Sequence, residues 1–209
     1  MKRIIASLAA LLAVFTLKAQ TPLAGAVSKL NAAHTAGEYQ QLANEFQRLA
    51  GAAPDDWLPT YYAAVSNMRL AFLHKDKAML FADQAEAQIK KAVALVTPAG
   101  NKKDLAEVYT VYSFINRARV EADPMSNGRK YGPVAGQQLA QARKADPGNP
   151  RALYLDGHIK YQTPAMWGGD KKKARELFAE ALKQFDVKPA SDTAPQWGRE
   201  DCEKAIRVD

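Results

Sequence analysis

A recurrent triplet of apolar side chains, followed by a residue typical of a helix end, is the strongest constraint on how this chain folds. Within each copy the apolar residues are separated by four and then three positions, which places them on one stripe of an α-helix. In three copies a proline follows five or six positions later and cannot continue the helical hydrogen-bond ladder, and in the fourth an aspartate occupies this place. The four copies are Leu42, Phe46, Leu49 and Pro54; Ala85, Ile89, Ala92 and Pro98; Ala135, Leu139, Ala142 and Pro147; and Ala174, Phe178, Ala181 and Asp186. Each copy predicts the second helix of a helical hairpin.

The segments that precede the copies have the pattern of partner helices. Thr21-Pro22 and Asn149-Pro150 each combine a capping residue with a proline in the first turn. Asp55-Asp56-Trp57 opens another such helix, and apolar residues from Leu105 onwards mark a further one. The amphipathic segment from Trp197 to Ile206 has no partner of its own, which predicts a closing helix over the apolar end of the stack.

Helix pairs whose second helix carries alanine, phenylalanine, alanine and proline at these spacings resemble tetratricopeptide repeats (TPRs). Trp57 matches the aromatic residue of the family's first helix and Gly157 matches its glycine, although no copy holds the full first-helix set. The resemblance implies an all-α fold, a right-handed α–α superhelix of about four TPR-like helix pairs plus a C-terminal capping helix. A generic helical bundle built from the same apolar stripes is the alternative. The recurrence of a proline at nearly the same distance after the triplets argues against it.

The spacing between copies departs from the family's pattern. Successive copies lie 43, 50 and 39 residues apart, whereas TPR units repeat every ~34 residues. We expect the extra length in loops between helices, around His74–Lys77, Asp123–Gly132 and Thr163–Gly169.

The beginning of the chain has the layout of a secretory signal peptide. Lys2 and Arg3 precede an uncharged apolar run over residues 4–17, and Ala19 supplies a small residue for cleavage. An uncleaved anchor is the alternative, but the run is short for a membrane span, which needs about 20 residues. The prediction is a signal peptide over residues 1–19 and one TPR-like domain over residues 20–209. Cleavage near Ala19/Gln20 then leaves a periplasmic or secreted protein.

The charge of the chain gives little support for a nucleic-acid partner. The full sequence has 29 basic and 22 acidic residues. Without the three lysine and arginine residues of the leader, 26 basic residues face 22 acidic ones. A nucleic-acid-binding protein usually gathers its basic residues on one face. We therefore expect no nucleic-acid partner, and membrane contact only through the export signal.

No residue pattern in the sequence predicts an active site or a metal centre. His34, His74 and His158 are far apart and lack the spacing of helical zinc ligands. The single cysteine, Cys202, has no nearby histidine, so we interpret it as a packed thiol. We expect no catalytic residues, no metal and no cofactor, and conclude that the chain is not an enzyme. An enzyme with a dispersed site is the least favoured alternative.

Two segments of the chain are rich in turn-forming residues. Gly168-Gly169-Asp170 followed by Lys171–Lys173 has glycines and lysines at a helix start, where an anion can bind. The spacing is not that of a nucleotide-binding loop, so we favour a turn with Asp170 as helix cap. The segment Met125–Pro133 predicts a second long loop. This loop and the loop over Thr163–Gly169 each lie between the two helices of one pair, and we hypothesise that they emerge at one edge of the stack and form a lip of a groove.

The TPR resemblance implies that first helices line a concave groove that receives a protein or peptide. The candidate partner-binding residues are Asn67, Arg69, Asn116, Arg117, Tyr154, His158 and Trp167. The preferred function is a protein-binding or scaffolding module of the cell envelope. The alternative is a soluble periplasmic protein that binds a small molecule or peptide, with loops closing over the groove. The sequence leaves the partner's identity and the oligomeric state open.

Overall fold

A computed structural model describes residues 21–207 of the chain, and this range is built of α-helices joined by short connections, except for a longer non-helical segment over residues 186–198 before the last helix. The α-helices are α1 (Pro22–Asn31), α2 (Ala36–Ala52), α3 (Trp57–Leu73), α4 (Ala78–Val96), α5 (Lys102–Ala122), α6 (Pro124–Ala145), α7 (Pro150–Gln162), α8 (Lys171–Phe185) and α9 (Arg199–Ile206). Short 3-10 helices cover Lys75–Lys77, Thr97–Ala99 and Ala165–Trp167. No strand occurs between residues 21 and 207, and the all-α prediction is confirmed. The predicted signal peptide, residues 1–19, lies outside the described residues.

Capping side chains determine where the helices begin. Thr35 and Glu38 form a reciprocal capping box at the start of α2, in which the Glu38 carboxylate accepts the backbone N–H of Thr35 at 2.8 Å. The Thr21 hydroxyl accepts the N–H of Ala24 at the start of α1, and Asn149 caps α7 in the same way. The predicted starts of α1 and α7 are therefore confirmed.

The repeated apolar triplets form the contacts between paired helices. Eleven of their twelve residues are buried, and Leu49 is partly buried. Gly157 shows how closely two helices approach, because a Cβ atom at this position would lie 2.6 Å from Cε1 of Phe178. The glycine of α7 thus provides the space that the phenylalanine of α8 fills.

Each helix from α1 to α9 packs on the next one along the chain, and these contacts include the predicted pairs α1–α2, α3–α4, α5–α6 and α7–α8. The first helices of neighbouring pairs also contact each other, α1 with α3, α3 with α5 and α5 with α7. We call these four helices the inner row. Of the helices described here, none has the length and hydropathy needed to cross a membrane.

The loop predicted over Met125–Pro133 is wrong, because this segment belongs to α6. Asp123 alone separates α5 from α6, and its carboxylate caps the new helix by accepting the N–H of Ser126 at 3.1 Å. The amide of Asn127 donates to the backbone oxygen of Arg119 at 2.8 Å and so satisfies a carbonyl at the end of α5. Pro133 lies inside the helix. The turn-forming residues here therefore act as caps and not as a loop.

The C-terminal segment does more than cover the end of the stack. It packs on α8 through Cys202, and it also returns across the inner row to α3. The hydroxyl of Tyr62 donates to the backbone oxygen of Thr193 at 2.8 Å, and Arg69 forms an ion pair with Asp201 at 2.5 Å. α9 therefore packs on the last helix pair as predicted, but the contacts of the C-terminal segment with α3, well inside the stack, were not predicted.

Candidate functional site

Three adjoining cavities form one groove over α3, α5 and α7, bounded by the C-terminal segment. The first cavity lies beside α9 and shares Tyr154 and His158 with the second. The second cavity shares Phe72 and Glu121 with the third. Their volumes are about 280, 110 and 510 Å³. We call them the α9 section, the inner section and the open section of the groove. The open section alone has a volume typical of a small-molecule site.

Aromatic side chains line the inner section. The ring of Phe114 lies 5.9 Å from that of Tyr154 and 5.8 Å from that of Trp197, measured between centroids. Phe72 contacts Phe114 edge to face at 6.4 Å. These distances are typical of favourable aromatic pairs. The groove therefore offers a mainly apolar, aromatic surface to a ligand.

The positive charge in the inner section is compensated. The Arg69 guanidinium lies 2.5 Å from Asp201 and 5.3 Å from the Trp197 ring centroid. This contact connects α3 to α9 across the groove. Arg69 therefore acts as a tie between two walls, and its charge is already matched by a carboxylate.

A second polar group joins α5 to α7. Oε1 of Glu121 lies 3.0 Å from Nε2 of His158 and 3.4 Å from Nη2 of Arg117. Burial alone would raise the pKa of Glu121, but the hydrogen bond from His158 and the charges of His158 and Arg117 outweigh it and hold that pKa below its usual value. Glu121 is therefore an ionised carboxylate within the groove.

The open section combines apolar walls with basic side chains. Phe72, Ala118 and Val120 are among its apolar lining residues, and Trp167 is part of its rim. The Trp167 side chain is 73% exposed, which is unusual for so large an apolar group. The charged residues that line this section are Lys75, Arg117 and Glu121.

The segment before α8 is a tight turn with a helix cap. Asp170 accepts the N–H of Lys173 at 2.8 Å, and Lys173 pairs with Glu176 at 2.9 Å. A Cβ atom at Gly169 would lie 1.7 Å from the backbone oxygen of Thr163, so only glycine fits there. This geometry agrees with the turn-and-cap interpretation and holds Trp167 at the rim of the groove.

The structure brings five of the seven predicted site residues to the groove. They are Arg69, Arg117, Tyr154, His158 and Trp167. The placement of Asn67 and Asn116 on the groove is wrong. Asn67 is buried and donates to Gln88 of α4 at 2.9 Å, while Asn116 is buried and accepts from Arg119 at 3.0 Å.

The reason for this difference is helical phase. One residue rotates a side chain by about 100° around a helix. Asn116 therefore points away from the face that its neighbour Arg117 occupies, and Asn67 is turned about 200° from Arg69.

Several residues that line the groove are not predicted from the sequence. Phe72, Phe114 and Glu121 lie in predicted first helices, but no pattern in the sequence distinguishes them from other residues of those helices. Trp197 and Asp201 belong to the C-terminal segment, which no local pattern places against α3. The sequence indicates only that Trp197 precedes a short amphipathic helix with no partner helix of its own.

Cys202, the one cysteine of the chain and a possible nucleophile, is buried. The Cys202 thiol donates to the backbone oxygen of Phe178 at 3.5 Å, and burial raises its pKa to about 12. This environment is that of a packed, protonated thiol. Within residues 21–207 no group of three or more histidine, cysteine, aspartate or glutamate side chains is arranged to hold a metal ion.

Comparison with known proteins gives one informative similarity. No protein-family model and no curated protein matches the chain. A solved structure that matches is the HusA haemophore from Porphyromonas gingivalis, with 30% sequence identity and a TM-score of 0.77. The match covers 88% of this chain and 89% of that one.

Proposed function

The chain belongs to the family of the HusA haemophore, and from that premise we propose that it is an exported carrier of haem or a related tetrapyrrole. The observation that supports this most directly is the groove over α3, α5 and α7. Its open section measures about 510 Å³ and is lined by Phe72, Trp167 and small apolar residues. A flat, largely apolar macrocycle requires a surface of this kind, with a few polar groups for orientation.

The donor groups of the groove fit such a cargo. His158 lines the inner section and is a side-chain type that binds haem iron in proteins, while Met68, another such type, is buried in the wall of this section. Tyr154 lies beside them, and burial raises the pKa of its hydroxyl well above the usual value, so this group stays protonated. Arg117 and Lys75 add positive charge at the open section. The groove thus has both the apolar surface and the polar groups that a tetrapyrrole with acidic side chains would contact.

The helix arrangement supports a finer proposal for the fold. We propose that the four pairs stack as a right-handed superhelix of the TPR-like kind, with the inner row on the concave side. The contacts of α1 with α3, α3 with α5 and α5 with α7 support this, as does the position of the groove along the inner row. A crystal structure in which the pairs twist in a left-handed sense would contradict it.

Export and the absence of catalysis are parts of the same proposal. The predicted signal peptide directs the carrier out of the cytoplasm, and the cargo is bound and released without chemical change. The protein-scaffolding function remains a prediction with no residue-level support beyond the TPR resemblance.

The test is a titration of residues 20–209 with haemin and with iron-free protoporphyrin IX, followed by tryptophan fluorescence. Trp167 and Trp197 line the groove, so we expect saturable quenching with one tetrapyrrole per chain. The bound pigment should be recovered unchanged after extraction. If neither haemin nor protoporphyrin IX shows saturable binding, the proposal is wrong.

A matched pair of variants locates the site. Gly128 lines the open section, and Gly136 lies on the exposed face of the same helix, α6; a Cβ atom added at either meets nothing within 4 Å. Gly128→Trp should weaken binding by ~tenfold or more, because the indole fills space that the ligand needs. Gly136→Trp should leave binding unchanged. Equal affinities in the two variants would place the ligand elsewhere.

A further inference from the structure

The positive charge in the open section of the groove is not fully compensated, in contrast to that of the inner section. Arg69 has a carboxylate partner at 2.5 Å, whereas Arg117 reaches Glu121 only at 3.4 Å. Oε1 of Glu121 is closer to His158, at 3.0 Å. Arg117 therefore shares a carboxylate oxygen that is mainly engaged by another residue.

The guanidinium of Arg117 also has an unused donor. Its side chain is only 13% exposed, and its Nε atom is buried without a hydrogen-bond partner. A buried cation with incompletely satisfied donors is unfavourable, so the guanidinium favours an acceptor at those of its N–H groups that line the open section. A guanidinium presents its N–H groups as a planar fork that matches the two oxygens of a carboxylate.

Lys75 adds a second cation to the same section. It begins the short 3-10 helix after α3, its side chain is exposed, and it forms no ion pair within residues 21–207. The one acidic residue among the lining groups of this section is Glu121. Two basic residues against one acid give the open section a net positive charge, while apolar residues around them lower the local dielectric and strengthen the attraction for an anion.

We propose that Arg117 and Lys75 form a carboxylate-binding site in the open section, so that the cargo is a tetrapyrrole with ionised carboxylate side chains. This inference rests on the proposed carrier function and specifies which end of the groove receives the acidic groups. Arg117 supplies the directional contact, since its donors are held by the packing of α5. Lys75 supplies charge from an exposed side chain at the open section, and Arg69 remains paired with Asp201.

The test compares protoporphyrin IX with its dimethyl ester, which has the same macrocycle but no ionisable carboxylates. Arg117→Met should weaken binding of the dicarboxylate by about tenfold, since charge-assisted hydrogen bonds are lost. The same variant should change affinity for the diester by less than about twofold. Lys75→Met should show the same selectivity with a smaller effect of ~threefold. Arg175→Met removes an exposed guanidinium from α8 and serves as the control.

The outcomes separate this inference from the proposed function. If the wild type binds both porphyrins and both variants retain wild-type affinity for the dicarboxylate, the carboxylate site is wrong and the carrier function stands. If the wild type binds neither compound, the carrier function itself is wrong. If Arg117→Met fails to fold, Lys75→Met and Arg117→Lys decide the question. Arg117→Lys should restore part of the affinity for the dicarboxylate because the charge is kept.

Discussion

The indole nitrogen of Trp197 donates a hydrogen bond to the hydroxyl oxygen of Tyr61 at 3.0 Å, which joins the C-terminal segment to α3 across 136 residues. The Tyr61 hydroxyl in turn donates to Oε2 of Glu107 on α5 at 2.8 Å, and Glu107 pairs with Arg151 of α7. All four side chains are buried. Three inner-row helices and the C-terminal segment are thus held by one hydrogen-bonded network, which positions Trp197 in the wall of the inner section.

We expect Trp197→Ala to be strongly destabilising. The ring is 5% exposed and contacts Phe114 as well as the guanidinium of Arg69. Truncating a buried aromatic residue typically costs about 3–5 kcal/mol of the free energy of unfolding. Urea denaturation measures this. Trp167→Ala is the control, since its side chain is exposed and its loss should change stability by less than ~0.5 kcal/mol. Equal costs for the two variants would mean that Trp197 does not anchor the segment.

Trp167→Ala should weaken ligand binding while leaving the stability of the protein almost unchanged. Trp167 lies at the rim of the open section with most of its ring exposed. Stacking of an aromatic side chain on a flat ligand contributes on the order of 1 kcal/mol. We expect Trp167→Ala to weaken protoporphyrin binding by ~fivefold in a fluorescence titration, while Trp167→Phe retains most of the affinity. Wild-type affinity in the alanine variant would remove Trp167 from the site.

Gly157→Ala should loosen the α7–α8 contact. The added methyl group would lie 2.6 Å from Cε1 of Phe178 and 3.1 Å from the backbone oxygen of Ala174. Overpacking of this kind costs typically about 1–3 kcal/mol. Gly136→Ala is the matched control in α6, where a methyl group meets open space and should stabilise the helix by about 0.5–1 kcal/mol. Thermal unfolding of both variants tests the prediction, and stabilisation by Gly157→Ala would refute it.

The carboxylate of Glu86 should make stability depend on acidic pH. Burial opposes ionisation of this group, but hydrogen bonds from Lys90, Arg119 and Tyr112 outweigh it and lower the pKa from 4.5 to about 2. A group whose pKa is lowered on folding stabilises the protein above its unfolded pKa, and the contribution is lost as the pH falls from about 4.5 towards 2. Because the site is partly exposed, we expect about 1 kcal/mol.

Glu86→Gln tests this prediction through the free energy of unfolding in urea at several pH values. The variant should be less stable than the wild type at pH 7, and the difference should shrink below a pH of about 4.5. Glu180→Gln, which alters an exposed carboxylate of α8, is the control. A constant difference between Glu86→Gln and the wild type at all pH values would show that the ion pairs of Glu86 do not contribute.

Most of the helices could be predicted because their signals are local. Caps such as Thr21 and Asn149 act within three residues of the helix start, and the apolar triplets act within one helical face. The same local reasoning failed at Met125–Pro133, where a single residue, Asp123, completes the turn between α5 and α6. Turn-forming residues are compatible with both a loop and a capped helix start, and only the packing of α6 on α5 distinguishes them.

The sequence by itself determined the all-helical class, the pairing of the helices and the buried face of each second helix, since these follow from short-range periodicity. The tertiary structure decided which of the predicted residues line the groove and which further residues complete it. Arg117 lies on the groove and Asn116 does not, because the packing of α5 sets its rotation relative to α3 and α7. Trp197 and Asp201 reach α3 through contacts more than 130 residues apart in the chain. Such long-range contacts depend on how all the helices stack, which is why no local pattern could place the groove.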